Sequence, residues 1–244
     1  MLQFFKQLVV PVTVLLLATT PTWAADATYL GSTSPDLVQL LPPPPALGTP
    51  AGDADLQQVL LWQKNRTDAQ LKLADADTHK SVFRFNDVLG SAFDADKLPL
   101  TAAFFTRIAK QGAVPMKAAK AYWKRPRPYN SSTDVHPGIV TEGTSPSYPS
   151  GHATFAWLTA EMLAQMVPEK RAEIFNRADS FALGRVIGGV HYPSDIEAGK
   201  ASGMLIAAAM LQNPALRADL QAATNETRKA LALPALTIAT QTAQ

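Results

Sequence analysis

The spacing of the apolar residues limits this chain more than any other feature. From Asp53 onward they recur at helical intervals, as in Leu56, Val59 and Leu60 with Gln63 on the same face, and Asp53 is placed to cap the start. No alternating apolar-polar run bounded by turn signals recurs, so no sheet is expected. The pattern predicts an all-α, multi-helix globule. Helices are expected at 67–76, 102–111, 114–123 (separated from the preceding one by Gly112), 153–167 and 169–187. A further helix, opened by Pro193, should end near Met210, and another should cover 214–231. Residues 82–89 are ambiguous, and 129–148, rich in Asn, Ser, Thr, Gly and Pro, read as a loop.

The 244 residues show no shift of composition midway, which favours one domain, and 47% apolar with 17% charged residues suffices for a real core. Three parts are expected: a signal peptide at 1–24, an extended Pro-rich arm at 25–52 and a compact helical domain at 53–244. The signal reading rests on basic MLQFFK, apolar LVVPVTVLLLA and the small residue Ala24 closing Thr-Trp-Ala. That apolar core is about 11 residues, short of the roughly 20 that span a bilayer. The same length argument makes 201–211 a buried helix, so no stable membrane insertion is expected after processing. Pro42 to Pro45 favour polyproline II, better read as an arm packed along the domain than as a ligand for a proline-binding module. A formal charge of +2 is too small for a nucleic-acid partner, and the basic residues concentrate instead at 117–127. The absence of cysteine excludes disulfides, thiolate zinc sites and a cysteine nucleophile.

Three stretches carry chemistry: KAYWKRPRP at 120–128, PSGH at 149–152 and GRVIGGVHYPSD at 184–195. A phosphate dianion needs directed cationic donors, and Lys120, Arg127 and Arg185 supply an ammonium and two guanidinium groups. Lys120 alone would read as a solvated helix face shared with Lys117 and Lys124. Arg127 differs, because Pro126 and Pro128 force an extended backbone around it. Ser150 and Gly151 precede an apolar helix, where unpaired amides of Gly151 and His152 bind anions and the Ser150 hydroxyl donates; an ordinary Ser cap with a Gly turn is the plainer reading. Pro193 implies that the chain enters a helix between His191 and Asp195. From the first turn Asp195 can accept the Nδ1 hydrogen of His191, leaving Nε2 to attack, or simply make a structural hydrogen bond. His79 and His136 receive no role. A metal site on His152 and His191 lacks accompanying carboxylates and would meet three cations, so no metal and no cofactor is expected.

Together these stretches resemble the signature of the phosphatidic acid phosphatase type 2 superfamily, which includes vanadium haloperoxidases. Six residues separate Lys120 from Arg127-Pro128, Pro149-Ser150-Gly151-His152 follows, then five separate Arg185 from His191 and three separate His191 from Asp195. The leader, LLPPPP at 40–45 and SYPSGHAT at 147–154 are further similar to bacterial class A nonspecific acid phosphatases. The resemblance implies a compact helical fold, a periplasmic or secreted location and metal-independent, two-step hydrolysis of small phosphomonoesters with inorganic phosphate as product. It implies His191 as the nucleophile forming a phosphohistidine, Asp195 as its orienter and His152 as the general acid. Lys120, Arg127, Ser150, Gly151 and Arg185 match the oxyanion-binding set. One position departs: the family commonly has Ser where this chain has Gly184, which removes a hydroxyl contact to Arg185 and suits close packing instead. Neutral His191 and protonated His152 are needed together, so with a histidine pKa of about 6.5 an acidic optimum follows. Alternatives are a vanadium-dependent haloperoxidase, for which the chain is short, a membrane lipid phosphatase, and a noncatalytic phosphate-binding protein that would not need the two histidines. A homo-oligomer is compatible with the sequence. Tyr122, Trp123, Tyr129 and Tyr148 fit stacking on a leaving group and core packing equally well.

Overall fold

A computed structural model describes residues 28–141 and 143–236 of the chain. The expected signal segment at 1–24 lies outside them. Among the described residues every regular element is a helix, in agreement with the all-α expectation. The chain runs through α1 (Leu37–Leu40), α2 (Pro50–Asn65), α3 (Asp68–Ala76), α4 (Asn86–Leu89), α5 (Pro99–Trp123), α6 (Pro128–Ser131), α7 (Gly151–Met166), α8 (Arg171–Ile187), α9 (Pro193–Leu211) and α10 (Pro214–Ala230). The ambiguous segment resolves into a 3₁₀ turn, Val82–Phe85, followed by α4.

Local chemistry explains most of the boundaries. The Thr67 hydroxyl accepts from Gln70 N while the Gln70 side chain receives Thr67 N, a capping box that starts α3 where the sequence placed it. α2 begins earlier than Asp53, because Thr49 caps it and Pro50 occupies its first turn. Asp53 lies inside the helix and accepts from Gly48 N at 3.0 Å.

The expected break at Gly112 is absent: α5 continues through Gly112 and Pro115 to Trp123. Gly112 is buried at a helix crossing, where a Cβ would come within 2.6 Å of Leu158 Cδ2. Its bareness serves tertiary contact. Pro115 removes one backbone donor and disturbs the helix by about 3 kcal/mol in isolation. Burial of Phe104, Phe105, Ile108, Met116 and Ala119 on the same helix offsets that cost.

The core is built around α7, of whose sixteen residues all but three are buried. α9 crosses it closely because Gly199 and Gly203 present no side chain. A Cβ at Gly203 would lie 2.8 Å from Thr154 O and Leu158 N, and one at Gly199 would lie 2.6 Å from Ser150 O. The apolar run at 201–211 is thus part of a packed helix, and no helix among the described residues is long and apolar enough to cross a membrane.

The proline-rich arm packs along this core. Tyr148 Oη donates to Pro42 O at 2.5 Å and Arg125 Nη2 to Pro45 O at 3.2 Å. The described part of the arm is not wholly extended, since Asp36 caps the short α1 and a 3₁₀ turn covers Gly31–Thr33.

Candidate active site

Two helix starts meet where the close α7–α9 crossing begins. Ser150 caps α7, its hydroxyl accepting from Ala153 N at 3.4 Å, and the Ser150 amide donates to Asp195 O at 2.9 Å. Tyr192 precedes α9, Pro193 takes its first position, and the Asp195 carboxylate turns back to accept Tyr192 N at 2.9 Å. His191 therefore stands just outside the helix with Asp195 inside it. The same carboxylate oxygen lies 3.1 Å from His191 Nδ1, and both residues are fully buried.

The other ring nitrogen, Nε2, lies 3.3 Å from Arg127 Nη1. A guanidinium only donates and a carboxylate only accepts, so the neutral ring carries its hydrogen on Nδ1 and a lone pair on Nε2. Arg127 is held by its Nε donating to Ser145 O at 2.7 Å and Nη1 to Val190 O at 3.0 Å. These bonds and the flanking prolines account for its defined direction.

Lys120 leaves the last turn of α5, and its Nζ donates to Pro146 O and, at 3.3 Å, to Ser147 O. Its Cε comes within 4.0 Å of the position a Gly151 side chain would take. Arg185 is buried in the last turn of α8, and its carbonyl receives the amides of Val190 at 3.0 Å and His191 at 3.2 Å. His152, in the first turn of α7, has Nε2 3.1 Å from Thr78 O and its ring stacked 6.4 Å from that of Phe181. Lys120, Arg127, Ser150, Gly151, Arg185, His191 and Asp195 are thus tied to one locality by contacts of side chain or backbone, and His152 adjoins them as the next residue after Gly151, with its ring against Thr78 O and Phe181. Gly184 packs against α3, with a Cβ there meeting Ala74 at 3.3 Å, as its reading as a packing residue implied.

A layer beneath these residues was not anticipated. Arg125 Nη1 donates to Asp195 Oδ1 at 2.7 Å, Nη2 donates to Asp55 Oδ2 at 2.8 Å, and the guanidinium carbon lies 4.0 Å from the centre of the Tyr192 ring. Burial by itself would lower the Arg125 pKa, but the charges and hydrogen bonds of Asp195 and Asp55 raise it above the usual arginine value. Ser147 Oγ donates to Asp195 Oδ2 and lies 3.2 Å from His191 Nδ1. Asp55 also accepts Ser194 N at 3.1 Å, joining α2 to the start of α9. Arg125 carried a readable signal, since it precedes Pro126 as Arg127 precedes Pro128. Asp55 carried none that separates it from Asp53 on the same helix.

Comparison with known proteins identifies the family. The family model described as PAP2 superfamily matches residues 99–218. An acid phosphatase of Zymomonas mobilis is 33% identical over 207 residues, covering 80% of this chain and 76% of the relative. A non-specific acid phosphatase of Salmonella typhi is 32% identical over 188 residues, covering 74% and 75%, and one of Providencia stuartii is 28% identical over 218 residues, covering 84% and 86%. The chain belongs to the PAP2 superfamily. A solved structure, titled a transmembrane PAP2 type phosphatidylglycerolphosphate phosphatase from Bacillus subtilis, shares the fold with a TM-score of 0.51 at 19% identity, covering 71% of this chain and 88% of its own.

Proposed function

We propose that this protein is an exported acid phosphatase that hydrolyses small phosphomonoesters of broad structure, without a metal, through a phosphohistidine on His191. The observation that carries the reading is the buried His191 ring, with Nδ1 on Asp195 and Nε2 facing the Arg127 guanidinium. Membership of a superfamily whose similar relatives are acid phosphatases supports the reaction class. The leader-like N-terminal sequence supports a periplasmic or secreted location.

In the first step Lys120, Arg127 and Arg185 hold the phosphoryl oxygens, aided by the Ser150 hydroxyl and the amides of Gly151 and His152. These donors stabilise the charge that spreads over those oxygens in the transition state. The Nε2 lone pair of His191 forms the bond to phosphorus while the ester P–O bond breaks. The leaving oxygen takes a proton from His152. Its Nε2 hydrogen is committed to Thr78 O, so Nδ1 is the nitrogen that exchanges protons. Asp195 meanwhile stabilises the positive charge that develops on the His191 ring.

In the second step neutral His152 takes a proton from water at Nδ1, and the water oxygen attacks phosphorus. The P–N bond breaks, its electron pair returns to His191 Nε2, and inorganic phosphate leaves. A proton donor of this kind contributes about 10²–10⁴-fold to the rate.

Mature protein should release p-nitrophenol from p-nitrophenyl phosphate in excess EDTA, faster at acidic than at alkaline pH. Absence of turnover from acidic to neutral pH would defeat the reading, and a requirement for added metal would remove its metal independence. Bromide oxidation by peroxide dependent on vanadate would instead identify a haloperoxidase.

A further inference from the structure

We propose that Asp77, clamped by Arg177, is a positioning residue that sets His152 for proton transfer through the carbonyl of Thr78. The proposal rests on the reading of His152 as the general acid. Thr78 lies just beyond the end of α3, where a chain reversal would ordinarily leave a carbonyl loosely aimed. Two bonds shape the turn itself: Thr78 N donates to Asp75 O at 3.0 Å and Thr78 Oγ1 to the same oxygen at 2.6 Å.

Its neighbour Asp77 anchors that turn to the core. Asp77 is 1% exposed, and its carboxylate receives Arg177 Nη1 at 2.9 Å, Arg177 Nη2 at 2.7 Å and Arg84 Nε at 2.8 Å. Arg177 projects from α8 and is buried as well, with Nε donating to Asp87 Oδ2 at 2.6 Å. One turn further along α8 stands Phe181, whose ring centre is 5.4 Å from the Arg177 guanidinium carbon and whose face lies against His152. A single guanidinium therefore organises two groups that meet the His152 ring, the Thr78 carbonyl at its Nε2 edge and the Phe181 ring stacked on its face.

Stability alone is a weak reason for such a pair, because desolvating two charges offsets most of their attraction and well-packed apolar residues serve as well. Orientation is a sufficient one. A carbonyl accepts only, so it keeps a hydrogen on Nε2 in both protonation states and turns Nδ1 into the working nitrogen. A Thr78 carbonyl free to swing would let the ring rotate and the proton change sides.

The test uses leaving groups. An alkyl phosphate such as glycerol phosphate needs its departing oxygen protonated, whereas p-nitrophenolate leaves with little help. The quantity compared is kcat/KM, which ends at the first phosphoryl transfer. Asp77→Asn is expected to lower kcat/KM about tenfold or more for glycerol phosphate, a part of the roughly 10²–10⁴-fold a general acid supplies, and less than about threefold for p-nitrophenyl phosphate. Arg177→Lys, which keeps the charge and loses the paired geometry, should show the same selective loss and carries the test if Asp77→Asn lowers the folded fraction. Equal losses on both substrates, or none, in variants with native circular dichroism would overturn the proposal. His152→Ala separates the two levels: selective loss on the alkyl ester is expected, and an equal loss on both esters would defeat the underlying assignment of His152 itself.

Discussion

Asp195 accepts on two oxygens from four donors: Arg125 on Oδ1, and Ser147, His191 Nδ1 and Tyr192 N on Oδ2. Its orientation is over-determined, so the His191 ring it holds inherits that order. Arg125 is the member whose loss should be most costly, because it alone bridges Asp55 and Asp195, both buried. Arg125→Ala is expected to destabilise the fold by about 3–5 kcal/mol in urea unfolding, the cost of leaving buried carboxylates without their counter-charge. A change below about 1 kcal/mol would show that the pair is relieved by other means. The motif residues were legible because phosphoryl chemistry dictates residue type, leaving spacing as the signal. Asp55 was not, since it supports Asp195 only through Arg125, and only the packing of α2 against the start of α9 brings it there; Arg125 had the signal of its following proline but not of its partners.

At the scale of elements, glycine separates what sequence tells from what it hides. Helical periodicity located most helices, the Thr67–Gln70 capping box was not foreseen, and Ser150 caps α7 as its plainer reading had it. Gly112 was misjudged because its cost to an isolated helix is local, whereas its benefit, room for Leu158, is tertiary. The same reasoning predicts unequal outcomes for two substitutions. In Gly112→Ala the new methyl meets the tip of the Leu158 side chain, which can rotate away; in Gly203→Ala it meets backbone atoms Thr154 O and Leu158 N at 2.8 Å. Gly203→Ala should therefore lower stability by about 1–3 kcal/mol and Gly112→Ala by less. Gly203→Ala should also lower activity, because the α7–α9 crossing sets Ser150 against Asp195. Thermal unfolding and turnover of both variants check this, and the reverse order of stability would contradict it.

Across the whole molecule, the arm and the active site share residues. Tyr148, buried, donates to Pro42 O, while Arg125 reaches both Pro45 O and Asp195. Burial, aided by the charge of Asp195, pushes the Tyr148 pKa up from 10.0 to about 12. The folded state therefore favours the neutral phenol. Its contribution to stability is complete below pH 10 and is lost as pH rises through about 12. Tyr148→Phe should cost about 1 kcal/mol near neutrality, from the lost hydrogen bond, and flatten this part of the alkaline decline in urea midpoint. An unchanged decline would place the titration elsewhere. The central claim is that phosphate passes through His191. Rapid quenching of the protein with labelled p-nitrophenyl phosphate, followed by peptide mapping at alkaline pH, tests it most directly. The account predicts an acid-labile label on His191 that is absent from His191→Ala; a label on another residue, or turnover and labelling that persist in His191→Ala, would contradict it.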